Sequence, residues 1–212
     1  MSNQDQTKEK KNEILQAATK LLASQGLQAL TFENVANQAD LSRQLVRYYY
    51  KDAESLMIDL ADHLSDQYRE ALVLGIVELG KVRRLDWFLD YFFDLSEVTS
   101  MPSDLEVYDA LIAFSVGSLP LRGRMRLQYQ TLGKVMAHEL AIAHPELKGH
   151  SCEELSFLFV SAMHAHWSFV ASLDYSREHS LLARNAFGRL IESYVKEAPS
   201  SPTIPNPWGH ED

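Results

Sequence analysis

Arg43, Gln44, Leu45 and Arg47 fall within five consecutive positions, and each is a side chain able to read the edge of a base pair. Arginine pairs bidentately with guanine, glutamine with adenine, and an exposed leucine touches the methyl of thymine. Thr31, Ser42, Tyr48 and Lys51 surround them with hydroxyl and ammonium groups suited to phosphate oxygens, which fix register without reading sequence.

Such a set works only if it projects from an element that fits a major groove. Residues 31–50, TFENVANQADLSRQLVRYYY, read as two short helices with a turn near Asp40, the outline of a helix-turn-helix. Phe32, Val35, Ala36 and Ala39 recur at helical spacing, with Thr31 placed to cap the first helix and Ser42 to open the second. Ala36 is small where the two helices must approach, and Asp40 tolerates left-handed backbone, though less easily than glycine. Leu41, Val46 and Tyr49 are then free to face inward. Spacing alone equally admits two ordinary amphipathic helices of a larger helical domain.

The rest of the chain is also helical in pattern, with no run of period-two alternation. Ile14, Leu15, Ala18, Leu21 and Leu22 stripe a first helix that stops before Gly26. Asp52 caps a long helix with Met57, Ala61, Leu64, Tyr68 and Ala71 on one face and an end near Gly80. Residues 85–95 are apolar around most of their circumference, which requires burial on several sides. Pro102, Pro120 and Pro145 punctuate further helices, Met125 to Ala143 form a seam, and two last helices are expected over about 152–173 and 178–196. The expectation is an all-α protein of about nine helices. Residues 1–51 are expected as a small N-terminal unit holding the helix-turn-helix, 52–197 as a larger helical bundle, and 198–212 as an irregular tail with Pro199, Pro202, Pro205 and Pro207.

Composition bounds the partners. The 212 residues are 46% hydrophobic and 23% charged, enough for a substantial core, and the single Cys152 excludes an internal disulfide framework. A net charge of −9 argues against nucleic acid as a partner when taken as an average. It is unevenly spread: residues 1–51 carry seven basic and five acidic side chains, and the remainder thirteen and twenty-four. The polar N-terminus shows no secretory signal, and the uncharged stretch from Leu155 to Leu173 holds two histidines and four serines, so a soluble cytoplasmic protein with no membrane span is expected.

The stretch GLQALTFENVANQADLSRQLVRYYYKDAESLM resembles the DNA-binding region of the TetR family of bacterial transcriptional regulators. Gly26, Thr31, Val35, Ala36, Ala39, Leu41, Ser42, Val46, Tyr49, Tyr50 and Leu56 carry the resemblance. Asp40 stands where the family usually has a turn glycine, Arg47 where it has a first tyrosine, and Ala53 where a lysine commonly opens helix four, with Lys51 placed to compensate. The resemblance implies a homodimer paired through its last two helices, a double-stranded DNA operator, and an effector pocket in the bundle. Binding there would shift the long helix after Asp52 and release a repressor. The other reading left open is a helical ligand-binding or interaction protein without DNA readout.

For the implied pocket, Trp87, Phe88, Tyr91, Phe92, Tyr108, Phe114, Tyr129, His164 and Trp167 offer an apolar lining with a few polar handles, although aromatics at this spacing also build ordinary core. Arg122, Arg124 and Arg126 alternate on a helix and so point apart, as do His164 and His166. No catalytic constellation, metal set or cofactor motif is expected, since neither a glycine-rich phosphate loop nor a serine elbow is present.

Overall fold

A computed structural model describes residues 3–79, 84–97, 101, 104–176 and 178–209. Among them lie nine α-helices and no strand: α1 Asn3–Gln25, α2 Phe32–Ala39, α3 Arg43–Tyr49, α4 Ala53–Leu79, α5 Arg84–Phe92, α6 Glu106–Ser115, α7 Leu119–Ala143, α8 Gly149–Trp167 and α9 Glu178–Lys196. The all-α expectation holds. Gly80 and Pro102, the Ala71 side chain and the outer ends of the N-terminal unit and tail lie outside the described residues.

Local chemistry sets the boundaries. α1 stops where Gly26 takes φ 73°, a left-handed turn that glycine makes without steric cost, while its N–H donates to Leu22 O at 3.0 Å. α4 begins where the Asp52 carboxylate accepts the Ser55 N–H at 2.8 Å, and that bond holds the Asp52 carboxyl below its ordinary pKa. Pro120 occupies the first turn of α7, where its missing N–H is not needed. α8 ends earlier than its apolar pattern suggests. Residues 168–172 widen into a π-helical turn, and the chain leaves the helix through Asp174 at φ 56°.

The helices group into two compact units, Met1–Gln67 with Pro102–Met125, and Tyr68–Met101 with Arg126–Asp212, so α4 and α7 contribute residues to both. The first unit buries Ile14, Ala18, Val35, Val46, Leu56, Leu60, Leu64 and Leu111. The second buries Phe88, Tyr91, Phe92, Phe93, Met136, Leu140, Leu155 and Phe159. In the α7 seam Met125, Met136 and Leu140 are buried, Tyr129 and Leu132 are half-buried, and Ala143 is exposed where the helix gives way to the connection to α8.

Long-range polar links stiffen the second unit. Arg84 grips Glu139 with two hydrogen bonds of 3.0 and 2.8 Å, and Arg184 donates to Asp90 at 2.7 Å and Asp86 at 2.9 Å. The tail is irregular, as its prolines require, yet it is docked. Trp208 Nε1 donates to Ser156 Oγ at 2.8 Å, its ring meets Phe157 edge-on at 5.2 Å, and its carbonyl accepts from Gln130. Pro199 O faces His150 Nε2 at 3.2 Å, and the Thr203 N–H donates to Glu154. Among the described residues, no helix is long and apolar enough to cross a membrane.

Candidate nucleic-acid interface

The α2–turn–α3 segment is assembled by its own side chains. Thr31 takes an extended backbone (φ −117°, ψ 151°) and its Oγ1 accepts the Asn34 N–H at 3.1 Å. Asn34 Nδ2 reaches back to Ala29 O at 2.9 Å, tying the helix start to the segment before it. At the far end Asp40 sits in the left-handed region at φ 54°, ψ 43°, and the Leu41 N–H donates to Ala36 O at 2.9 Å. The reversal is therefore tight, with Val35 and Ala36 buried beneath it. Ser42 Oγ then accepts the Leu45 N–H at 3.1 Å and starts α3.

Rotation of about 100° per residue sorts the seven residues of α3. Val46 is fully buried, and Tyr50 just beyond the helix is 1% exposed. Arg43, Gln44 and Arg47 are exposed, Tyr48 is 80% exposed, and the Lys51 side chain is 84% exposed. Leu45 is half-buried, so part of it is committed to packing. Tyr48 and Tyr49 meet edge-on at 5.2 Å, and Lys51 lies 3.8 Å from Asp52, a loose pairing. The capping bonds use lone pairs of Thr31 and Ser42 but leave each hydroxyl its proton to donate. One bare helical face thus carries Arg43, Gln44 and Arg47, bordered by side chains able to donate to phosphates.

Sequence reasoning missed what fixes this face in place. Lys11 of α1 forms an ion pair with Asp59 of α4 at 2.8 Å, and its Nζ lies 5.3 Å from the centre of the Tyr50 ring. Burial pushes the Tyr50 phenol above its ordinary pKa. A lysine in the third turn of α1 and the third member of a tyrosine run are the sequence signals of this clamp. Arg122 and Arg124 are likewise committed. Arg122 donates to Ser115 O and Val116 O at 3.2 and 2.6 Å, closing the end of α6, and Arg124 pairs with Asp62 at 2.7 Å. Neither is left as an anion cradle; Arg126 is exposed.

The aromatic candidates for an effector site divide between the units. Trp87, Phe88, Tyr91, Phe92 and Trp167 cluster in the second: Trp87 stacks on Tyr91 at 5.5 Å and Phe92 on Trp167 at 6.1 Å. Trp167 Nε1 donates to Phe92 O at 2.8 Å, and Tyr129 OH meets His164 Nδ1 at 3.0 Å. The Tyr91 hydroxyl is buried without a hydrogen-bond partner among the described residues, and burial raises its pKa. Tyr108 and Phe114 belong to the first unit, the former buried and the latter half-buried. His164 and His166 point to different partners, Tyr129 and Ser180. Among the described residues, no three His, Cys, Asp or Glu side chains gather as metal ligands.

Comparison with known proteins bears on the same segment. The family described as bacterial regulatory proteins, tetR family, matches residues 14–60, which hold α2, the turn and α3. An uncharacterised HTH-type transcriptional regulator encoded in the dhlA 5′ region of Xanthobacter autotrophicus is 27% identical over 139 residues, covering 62% of this chain and 66% of that protein, just under two thirds of its length. The fold is similar to a Rhodococcus sp. transcriptional regulator at TM-score 0.70 and 17% identity, covering 85% of this chain and 95% of that one. It is also similar to a Saccharomonospora viridis regulator solved in complex with choline, at TM-score 0.72 and 14% identity, covering 87% and 96%. With its capped helices, left-handed turn and bare basic face, the segment 14–60 matches the tetR family of bacterial regulatory proteins, and the chain as a whole shares the fold of solved transcriptional regulators.

Proposed function

We propose that this regulator acts as a homodimeric repressor in the cytoplasm, reading an operator through α3 and leaving it when a small molecule binds in the helical bundle. The observation that carries the reading is the sorting of α3. Val46 and Tyr50 anchor the helix, and Arg43, Gln44 and Arg47 are left bare for base edges. Thr31, Ser42, Tyr48 and Lys51 hold the flanking phosphates, and Leu45 contributes its exposed edge to a thymine methyl.

Pairing through α8 and α9 is supported by Phe157, Leu158, Leu181 and Leu182, all exposed on those helices. Two copies place two recognition helices on the half-sites of a palindrome. The effector site is assigned to the aromatic cluster of the second unit, where the Tyr91 hydroxyl and the Tyr129–His164 pair supply polar groups. The Saccharomonospora viridis protein holding choline and a multidrug binding protein holding imidazole are similar folds with bound ligands. An effector releases DNA only by binding one arrangement of the two recognition helices more tightly than the other.

The test starts with a duplex selected by the protein itself from a random pool. Arg43→Ala and Gln44→Ala, each still folded, are expected to lose roughly 1–3 kcal/mol of discrimination at the base pair each one reads. If both variants keep the parental base preference, α3 is not the reading surface.

A further inference from the structure

Residues 5–9 of α1 lie outside the buried core. The buried residues of this helix begin at Ile14, where the family match also begins, yet the helix starts at Asn3. Residues 5–9 are exposed and polar all round. A helical segment with no apolar face contributes nothing to a core, which leaves Lys8 open to an outside partner.

Its position relative to α3 identifies that partner. Lys11 Nζ lies 5.3 Å from the centre of the Tyr50 ring, so the third turn of α1 abuts the residue that follows the recognition helix. From Lys11 back to Asn3 the helix runs on for about 12 Å at 1.5 Å per residue. Lys11 is held by Asp59, and Lys10 is paired with Glu13 of its own helix at 2.8 Å. Lys8 is exposed one turn further out. Asp5 and Glu9 balance the charge of the segment, so any attraction to DNA is local to the lysines. Arg47, Tyr48 and Lys51 continue the same donor surface from the α3 side.

We infer that the α1 extension is a second DNA-contacting element, in which Lys8 and Lys10 bind backbone phosphates of the duplex flanking each half-site. The inference rests on the DNA-reading assignment of α3. It also gives the chain a phosphate anchor where Ala53, at the start of α4, has no charge to offer. The contact positions the protein and carries no base readout.

The test uses the full chain, a selected operator with long flanks, and the same operator trimmed flush to its half-sites. Each phosphate contact contributes about −0.9 to the slope of log K against log salt. For the dimer, the Lys8→Gln/Lys10→Gln double variant is expected to flatten that slope by about 2–4 on the flanked duplex and hardly at all on the trimmed one. Base preference should be unchanged, and Lys8→Arg/Lys10→Arg should restore the slope. Equal slopes for parent and double variant on the flanked duplex overturn the inference, as does an equal loss on both duplexes. A parent that discriminates between sequences while the slopes stay equal sinks this inference alone. A parent that discriminates none sinks the α3 reading beneath it.

Discussion

Asp40 shows how one side chain sets the geometry on which the exposed face of α3 depends. Its φ of 54° places it in the left-handed region, which costs most L-residues roughly 1–2 kcal/mol and aspartate less. Asp40→Gly removes that steric cost but loosens the unfolded chain, so its stability should stay within about 1 kcal/mol of the parent in urea unfolding. Asp40→Val puts a branched side chain in the same conformation and is expected to cost about 1–3 kcal/mol. Equal behaviour of the two variants would mean that the turn is not held left-handed. The turn was legible in the sequence because its determinants are local: a threonine cap, a small residue, a residue tolerant of positive φ and a serine cap, all within a dozen positions. The division of the tyrosine run into exposed Tyr48, half-buried Tyr49 and buried Tyr50 was less legible, because Tyr50 is held by Lys11 of α1 and not by a sequence neighbour.

Among elements, the end of α8 is a junction made by three successive contacts. His164 meets Tyr129 of α7, His166 meets Ser180 of α9 at 3.1 Å, and Trp167 meets Phe92 of α5. The His166 ring also packs edge-on against Phe93 at 5.3 Å. Burial, with a smaller effect from His179, holds the His166 pKa below its ordinary 6.5. The unfolded chain therefore binds a proton that the folded chain resists. His166 adds no penalty above about pH 6.5, and stability falls as pH drops through the depressed folded value. Urea midpoints at about pH 7.5 and about pH 5.5 should differ more in the parent than in His166→Asn, which keeps a hydrogen-bonding group and removes the titration. The same difference in both would assign the acid sensitivity to other groups. Sequence spacing correctly separated the two histidines, since residues two apart on a helix diverge. Their partners lie 35 and 14 residues away, and no local pattern encodes them.

Over the whole molecule, the average charge misleads and the tail surprises. The −9 total belongs to the residues after Lys51, while the first 51 residues are close to balanced and carry the proposed DNA-reading surface. The tail's prolines foretold irregular backbone but not its docking, because the Trp208 slot is built from Gly133, Ser156 and Phe157, far back in the chain. A Cβ added at Gly133 would stand 2.1 Å from the Trp208 ring, so Gly133→Ala should expel the tail. Trp208→Ala is expected to cost about 2–4 kcal/mol, less than a fully buried tryptophan, as the ring is half-exposed. In the Trp208→Ala background, Gly133→Ala should turn neutral or stabilising, since alanine favours a helix by about 1 kcal/mol over glycine. Additive losses in that double-mutant cycle would mean that the two residues do not meet.

The central claim is that two copies of α3 read DNA sequence, and selection of duplexes from a random pool by the purified full-length protein tests it most directly. The account predicts enrichment, at low salt, of an inverted repeat whose half-sites lie about one helical turn of DNA or a multiple of it apart. Recovery of sequences no different from the starting pool would contradict it.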